Sequence, residues 1–246
     1  MPDLNLAIAG DLHDQWDASD HELLARIRPD ALLLVGDFSD GDSRIPTLLA
    51  GLDLPLACVI GNHDTGKDGS GRRLRQQLSL LGDRHCGWGL RQLTPPGLAV
   101  VGARPGTAGG GFQLSRAVRS VYGPVSQQES ADRITRAALS ADPALPLVVF
   151  GHMHHTLRHN RGERLSFQRD GEGTAYLNCA CVPRHGTDLQ GRSLRHLSWV
   201  RLRGTAPVHI SHRWYDPGGA LLYEEVLWQG DPRPEPQPVA GLAGRC

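Results

Sequence analysis

The sequence lacks three features that are typical of nucleic-acid-binding and membrane proteins. It has no net charge, with 26 basic and 26 acidic residues in 246, so no global field attracts nucleic acid or an anionic membrane. Aromatic residues make up only 5% of the chain, and no basic stripe with aromatic platforms for bases is present. The longest apolar run, ALLLVG, falls far short of the ~20 residues that span a bilayer. We therefore expect neither a nucleic-acid partner nor a membrane span.

Cysteine is scarce and odd in number, at five residues. The cysteines are scattered along the chain, and the first residues, MPDLNLAIAGD, lack the basic start and apolar core of a secretory signal. These features predict a reduced protein of the cytoplasm.

The first 65 residues contain an alternation of apolar runs and helical stretches. LNLAIAGD, DALLLVGD and PLACVIGNHD are apolar runs whose length suits strands that are buried on both faces, as in a parallel α/β arrangement. Ser19 followed by Glu22 predicts a capping box that opens a helix between the first two runs, and Ser126 with Glu129 predicts another before a later helix.

The pattern changes in the back half of the chain. From about Glu163 onward, short strand-like segments alternate with turn residues, which predicts antiparallel sheet. The segment 231–246 is rich in proline and glycine and is predicted to be disordered. We predict an α/β fold of layered type, with mixed β-sheets flanked by helices, in one domain over residues 1–230 followed by this tail.

Candidate ligand side chains follow four of the predicted strands, at the point where each strand ends. They are Asp11 and His13, then Asp37, then Asn62, His63 and Asp64, and finally His152 and His154. Because functional sites collect at the carboxyl ends of parallel strands, these side chains are expected to converge on one crevice. Where the chain stays extended, residues two apart project to one side, which would aim Asp11 with His13 and His152 with His154.

The donor types in this set favour a divalent transition metal. Carboxylate, imidazole and amide oxygen without thiolate suit manganese, iron or zinc better than a closed structural zinc site built on cysteine. An aspartate has two oxygens, so Asp37 could bridge two ions.

The ordered motifs resemble those of the calcineurin-like metallophosphoesterase superfamily. They are D-x-H at residues 11–13, GD at 36–37, GNHD at 61–64 and GHxH at 151–154. Three further stretches, LSLLGDRHCGWG, VVGARPGTAGGG and PLVVFGHMHH, are similar to a branch found in cyanobacteria and plant plastids.

The resemblance implies a metallophosphoesterase-like layered fold and a site with two metal ions. It assigns the first ion to Asp11, His13, Asp37 and His154, and the second to Asp37, Asn62 and His152. The implied activity is hydrolysis of a phosphate mono- or diester of a small phosphorylated substrate by a metal-bound hydroxide. The resemblance also implies that His63 stabilises or protonates the leaving oxygen, that Asp64 orients His63, and that Asp40 has a supporting role.

The sequence departs from the family pattern at one ligand. The family normally supplies a further histidine for the second metal, at the end of a strand between GNHD and GHxH, and here the interval contains only His85. The second ion could keep an extra water or a substitute such as His85 or His185, or it could bind weakly.

Catalysis could also be lost, and this leaves alternatives to the enzyme. The chain could be a relative that binds metal or a phosphorylated ligand without turnover. It could also be a chain shortened by deletion that folds poorly.

Overall fold

The computed structural model describes residues 3–94, 97–106, 114–141, 145–155 and 166–230. The strands are β1 Asp3–Gly10, β2 Ala31–Val35, β3 Leu56–Val59, β4 Leu90–Leu93, β5 Leu98–Val101, β6 Leu147–Phe150, β7 Phe167–Arg169, β8 Ala175–Asn178, β9 His185–Thr187, β10 Ser193–Arg203, β11 Ala206–Tyr215 and β12 Leu221–Gln229. The helices are α1 Ala18–Ile27, α2 Arg44–Ala50, α3 Arg72–Leu81, α4 Arg116–Tyr122 and α5 Gln127–Ala141. The predicted tail, 231–246, lies outside the described residues.

A seven-stranded sheet organises the described chain, in the order β12-β11-β10-β1-β2-β3 with β9 on β10. The pairs β1–β2 and β2–β3 are parallel, whereas β10 to β12 join as an antiparallel meander on the other side of β1. The parallel half comes from the three apolar runs at the start of the sequence, as expected for strands buried on both faces.

Both faces of this sheet are covered. On one face, the alternate residues Ala7 and Ala9 of β1 share a core with side chains of α1, α2 and α3. On the other face, Leu6 and Ile8 pack with two smaller sheets, β4-β5 and β6-β8-β7. Alternation along β1 thus separates the two cores, and the molecule is an α/β fold of mixed sheets flanked by helices.

Several local expectations are confirmed and others need correction. The Ser126 hydroxyl accepts the amide of Glu129 at 3.0 Å at the start of α5, which is one of the two hydrogen bonds of the predicted capping box. The capping box of α1, however, is formed by Asp17 and Asp20 rather than by Ser19 and Glu22. In the back half the sheet is mainly antiparallel, but β8 pairs in parallel with β6.

None of the helices in the described part of the chain is long and apolar enough to cross a membrane.

Candidate metal centre

The turns that follow β1 and β2 are joined by backbone hydrogen bonds, and this brings the first motifs together. The His13 amide donates to the Asp37 carbonyl at 2.8 Å, and the Asp11 amide donates to the Val35 carbonyl at 3.3 Å. Asp11, His13 and Asp37 have φ of 51°, 41° and 46°, a left-handed conformation that is uncommon outside glycine. The chain is therefore not extended here, and turns rather than strand alternation aim these side chains.

Positive φ is concentrated at the predicted ligands. His152 also has this conformation, with φ 68°. Four of the six predicted metal ligands are thus held in a backbone conformation that costs free energy, of order 1–3 kcal/mol per residue. Such strain clusters at binding and catalytic sites, where the surrounding structure enforces it.

Asp11, His13 and His154 form a compact group, which we call the three-ligand cluster. One ligand atom from each lies within 4.8 Å of the other two. The His154 Nε2 is 3.0 Å from Asp11 Oδ2 and 3.1 Å from His13 Nε2. Strands β1 and β6, far apart in sequence, supply the cluster, as the convergence at strand ends predicts.

The electrostatics of Asp11 fit a cation at this place. Asp11 is 3% exposed. Burial and then the nearby Asp37 carboxylate raise the pKa of Asp11 to about 7, partly opposed by a hydrogen bond from the His152 amide. A buried carboxylate with a like-charged neighbour and two facing imidazole nitrogens is relieved by a positive ion between them.

Asp37 lies beside the cluster and is itself 2% exposed. Its Oδ1 accepts the backbone amide of His63 at 2.8 Å, which ties the end of β2 to the loop after β3. A Cβ on Gly61 would lie 2.1 Å from Asp37 Oδ1, and one on Gly151 would lie 2.7 Å from Asp11 Oδ1. These two motif glycines are therefore required by the close approach of the carboxylates.

His63 is held by Asp40 rather than by Asp64. The His63 Nδ1 is 2.7 Å from Asp40 Oδ1, and this hydrogen bond raises the pKa of His63. The His63 ring also meets the His13 ring edge-on, with centroids 4.9 Å apart. His63 is thus adjacent to the three-ligand cluster and has a carboxylate partner from the loop after β2.

Asp64 takes a different place from the one implied by the family resemblance. It is 0% exposed, and its oxygens accept the amides of Gly61 at 2.7 Å and Ser39 at 3.1 Å. Burial raises its pKa to about 7. The carboxylate therefore fastens two loops to each other, because its acceptors are used by the backbone, and Asp40 has the orienting position.

The second predicted ligand set, Asp37, Asn62 and His152, is more exposed to solvent than Asp11 is, because only Asp37 among its members is buried. Asn62 is half-buried at the start of the 3₁₀ turn over His63–Thr65, and His152 is exposed. Among the acidic, histidine and cysteine side chains of the described residues, only the three-ligand cluster has three donor atoms this close together. The second ligand set includes the amide of Asn62, so it is not a cluster of this kind and stays a prediction.

The two histidines considered as substitutes lie elsewhere. His85 adjoins Cys58 of β3 through an isolated bridge, and burial lowers its pKa to about 4. His185 contacts the side chains of Arg184 at 2.7 Å and Arg195 at 2.6 Å. Neither histidine belongs to the three-ligand cluster.

His155 belongs to a buried histidine group that sequence reasoning missed. Its ring lies 4.7 Å from that of His212 and 6.4 Å from that of His196. His196 and His212 are each 1% exposed and come from neighbouring strands. The positions of His196 and His212 in the sequence do not predict this group, because only the pairing of β10 with β11 brings the two side chains together.

Fold and cluster together define the class, an α/β protein with a candidate metal site at the carboxyl ends of parallel strands. The sequence matches the family model of calcineurin-like phosphoesterases over residues 4–171. Since this match spans more than half of the 246 residues, the chain belongs to the calcineurin-like phosphoesterase family. Members of this family are hydrolases that typically bind divalent metal ions.

Solved structures resemble the chain at low sequence identity. A predicted phosphoesterase from Streptococcus pneumoniae is 12% identical, covers 92% of this chain and 99% of its own, and has a TM-score of 0.41. A metallophosphoesterase from Sphaerobacter thermophilus is 15% identical, with coverages of 85% and 89% and a TM-score of 0.35. A further solved chain is 10% identical, with coverages of 87% and 99% and a TM-score of 0.51, and it supports the fold. No curated protein matches the sequence.

Proposed function

We propose that the protein is a metal-dependent phosphoesterase that hydrolyses a mono- or diester of a small phosphorylated substrate. The observation that carries this proposal is the three-ligand cluster, in which a buried carboxylate and two imidazoles from distant strands converge beside Asp37. Membership of the calcineurin-like phosphoesterase family supports the reaction class. The similarity of three stretches to the cyanobacterial and plastid branch suggests that the chain belongs there.

The residues present fit a site for divalent ions. Asp11, His13, Asp37 and His154 would hold the first ion, and Asp37, Asn62 and His152 would hold a second. Bound ions would acidify water near neutral pH and offset the charge that develops on the phosphoryl oxygens. The donors are carboxylate, imidazole and amide oxygen without a thiolate, and such a set is compatible with manganese, iron and zinc.

His63 is the proposed proton donor to the leaving oxygen. Its Nδ1 contacts Asp40 at 2.7 Å, which leaves Nε2 for the substrate. The Asp40 hydrogen bond raises the pKa of His63, so a larger fraction of the imidazole carries the proton near neutral pH. Asp40 is a positioning residue in this scheme.

Metal content and turnover are expected to depend on the same buried carboxylate, Asp11. Full-length protein incubated with manganese and freed of excess ion should retain bound metal by elemental analysis and should hydrolyse an aryl phosphate or its diester. Asp11→Asn should lower both metal content and turnover, because it removes the buried charge at the centre of the cluster. Asp14→Asn is the matched control, since Asp14 is a nearby exposed aspartate that pairs with Arg44 at 3.5 Å.

A non-catalytic binding module is the second candidate. The exposure of His152 favours it, and so does the histidine missing from the interval before GHxH. One equivalent of metal without turnover would support the binder, and two equivalents with turnover would support the enzyme. A folded protein with no bound metal would contradict both.

A second prediction separates the role of Asp40 from a purely structural one. Asp40→Asn should reduce kcat by about tenfold for an alkyl phosphate, which corresponds to ~1.4 kcal/mol, and less for an aryl phosphate, whose leaving oxygen needs less protonation. His63→Gln should show the same dependence on the leaving group with a larger effect. Asp42→Asn, two residues along the loop, is the control. Equal losses for both substrate types would contradict proton donation by His63.

We also propose a cytoplasmic location. The four cysteines in the described part of the chain are buried and form no disulfide with one another, which supports a reducing compartment.

A further inference from the structure

A second candidate binding site lies at the opposite end of the central sheet from the three-ligand cluster. It is a cavity of about 190 Å³ whose lining includes Asn5, Arg28, Trp199, Arg201, His209 and Arg213. We call it the arginine pocket. Asn5 precedes Asp11 by six residues of the β1 strand, a span of about 20 Å, so a small ligand here would not touch the metal site.

The arginine pocket exists because α1 ends before the sheet does. The helix ends at Ile27, and Arg28 takes a left-handed φ of 51°. Asn5 pairs with Arg201 on β10, and Arg201 pairs with His209 on β11. Directly paired residues share one face of a sheet, so the strands place an amide, a guanidinium and an imidazole side by side past the end of the helix.

The pocket carries an excess of positive charge. Within the part of the chain that the structure describes, no carboxylate lines it. Glu224 pairs with Arg213 at 2.8 Å and lies 3.1 Å from His209. Asp3 is 3.7 Å from Arg201 Nε but closer, at 3.0 Å, to Arg203. Among the described residues Arg28 has no carboxylate within ion-pair distance, so the local charge is not balanced by the protein.

One donor in this pocket makes no hydrogen bond within the described protein. The Nε of Arg201 is shielded from solvent, and the nearest carboxylate oxygen, of Asp3, is 3.7 Å away, beyond hydrogen-bond distance. A buried donor without an acceptor is costly. An oxygen atom of a bound ligand would provide that acceptor.

The size and lining of the pocket select the ligand class. A volume of about 190 Å³ is below the ~300–1,000 Å³ that is usual for pockets of drug-sized ligands, so the pocket fits a small anion better than a nucleotide. The Arg213 guanidinium already covers the Trp199 ring, 4.7 Å from its centroid, so this face is not open for stacking of a base. Arginine side chains bind phosphate and carboxylate oxygens in pairs.

We propose that the arginine pocket binds a small polyvalent oxyanion, through Arg28 and Arg201 beside the Arg213–Trp199 stack. The shared chemistry is that of a tetrahedral oxyanion, either free phosphate or the phosphoryl group of a small metabolite. This site is separate from the metal centre and does not depend on the phosphoesterase proposal.

The test titrates metal-free, full-length protein with sulfate, inorganic phosphate and glycerol 3-phosphate at constant ionic strength. Calorimetry gives the Kd, and the indole signal of Trp199, assigned with Trp199→Phe, reports the location. Arg201→Gln and Arg28→Gln should each raise the Kd for sulfate by about tenfold or more, as expected for loss of a charge-assisted hydrogen bond. Arg26→Gln is the charge-matched control on α1 and should change the Kd by less than about twofold.

Two comparisons distinguish the arginine pocket from the metal centre, and a phosphorylated metabolite from a free anion. Asp37→Asn should leave sulfate binding unchanged, which distinguishes the arginine pocket from the metal centre. Tighter binding of glycerol 3-phosphate than of the two inorganic ions would identify a phosphorylated metabolite, and equal binding would identify the free anion. The proposal is overturned if no saturable binding occurs, if the two arginine variants bind like the wild type, or if Trp199 does not respond.

Discussion

Asp37→Asn is expected to reduce turnover of an aryl phosphate by at least about a thousandfold, a loss of ~4 kcal/mol of transition-state stabilisation. Asp37 is the carboxylate that both predicted ligand sets share, so one substitution weakens the hold on both ions and removes their bridging charge. The substitution preserves shape, because an asparagine Oδ1 can still accept the His63 amide that Asp37 accepts at 2.8 Å. Steady-state kinetics and elemental analysis of the same preparation measure the effect.

The stability of the metal-free protein provides the control for this variant. Burial and the Asp37 charge together raise the pKa of Asp11 to about 7, which means that the two carboxylates repel each other when both are ionised. Removing one charge should leave the melting temperature of metal-free protein unchanged or higher. Asp53→Asn, at an exposed aspartate before β3, should retain full activity. Near wild-type turnover in Asp37→Asn would contradict the phosphoesterase assignment.

The parallel half of the fold was predictable from the sequence, and β11 was not. The strands β1 to β3 are continuous apolar runs, and burial on both faces leaves this signature. β11 contains Ser211 and His212, both buried, and such polar residues obscure the pattern of a strand. His212 is accommodated because its Nδ1 lies 2.9 Å from the Ser198 hydroxyl on β10, a contact that only strand pairing creates.

At the candidate site, residue types were predictable but their partners were not. Strand ends and donor chemistry singled out Asp11, His13 and His154, which the structure places together. The contact of His63 with Asp40 rather than Asp64 could not be predicted, because it depends on which carboxylate the loop amides of Gly61 and Ser39 surround. Backbone conformation decides this, and a motif does not specify it.

The helix cap of α1 also depends on a contact that is distant in the sequence. Asp17 and Asp20 close the capping box in place of Ser19 and Glu22. Asp20 is held in place by Arg184, which lies 164 residues further along the chain. The Arg184 Nη2 donates to Asp20 Oδ1 at 2.6 Å, and both side chains are 1% exposed. Burial alone would raise the pKa of Asp20, but the Arg184 charge and hydrogen bonds hold it well below its usual range.

Arg184 also connects this ion pair to the segment that carries His13. Its backbone amide donates to Gln15 Oε1 at 2.5 Å, and its Nη1 donates to the Gln15 carbonyl at 2.8 Å. The guanidinium lies over the Trp16 ring, 4.7 Å from the centroid. The turn after β1 is therefore anchored two residues past His13.

Arg184→Met should lower the free energy of unfolding by about 3 kcal/mol at pH 7.5, because it leaves the Asp20 carboxylate buried without its main partner. Removal of one partner from a buried ion pair costs about 3–5 kcal/mol. Arg195, at 3.3 Å from Asp20, still balances part of the Asp20 charge, so we expect the lower value. The deficit should be smaller at pH 4.5. Asp20 of the wild type stays ionised and paired at both pH values, because the Arg184 charge holds its pKa below the usual range, whereas the buried, unpaired carboxylate of the variant takes up a proton and is relieved of its charge. Urea unfolding at pH 7.5 and 4.5 measures both values.

Adding Asp20→Asn to Arg184→Met should recover part of the lost stability, because it removes the unpaired charge. An equal or larger loss in the double variant would contradict this. It would show that the packing of the Arg184 guanidinium on Trp16, and not its charge, stabilises this turn.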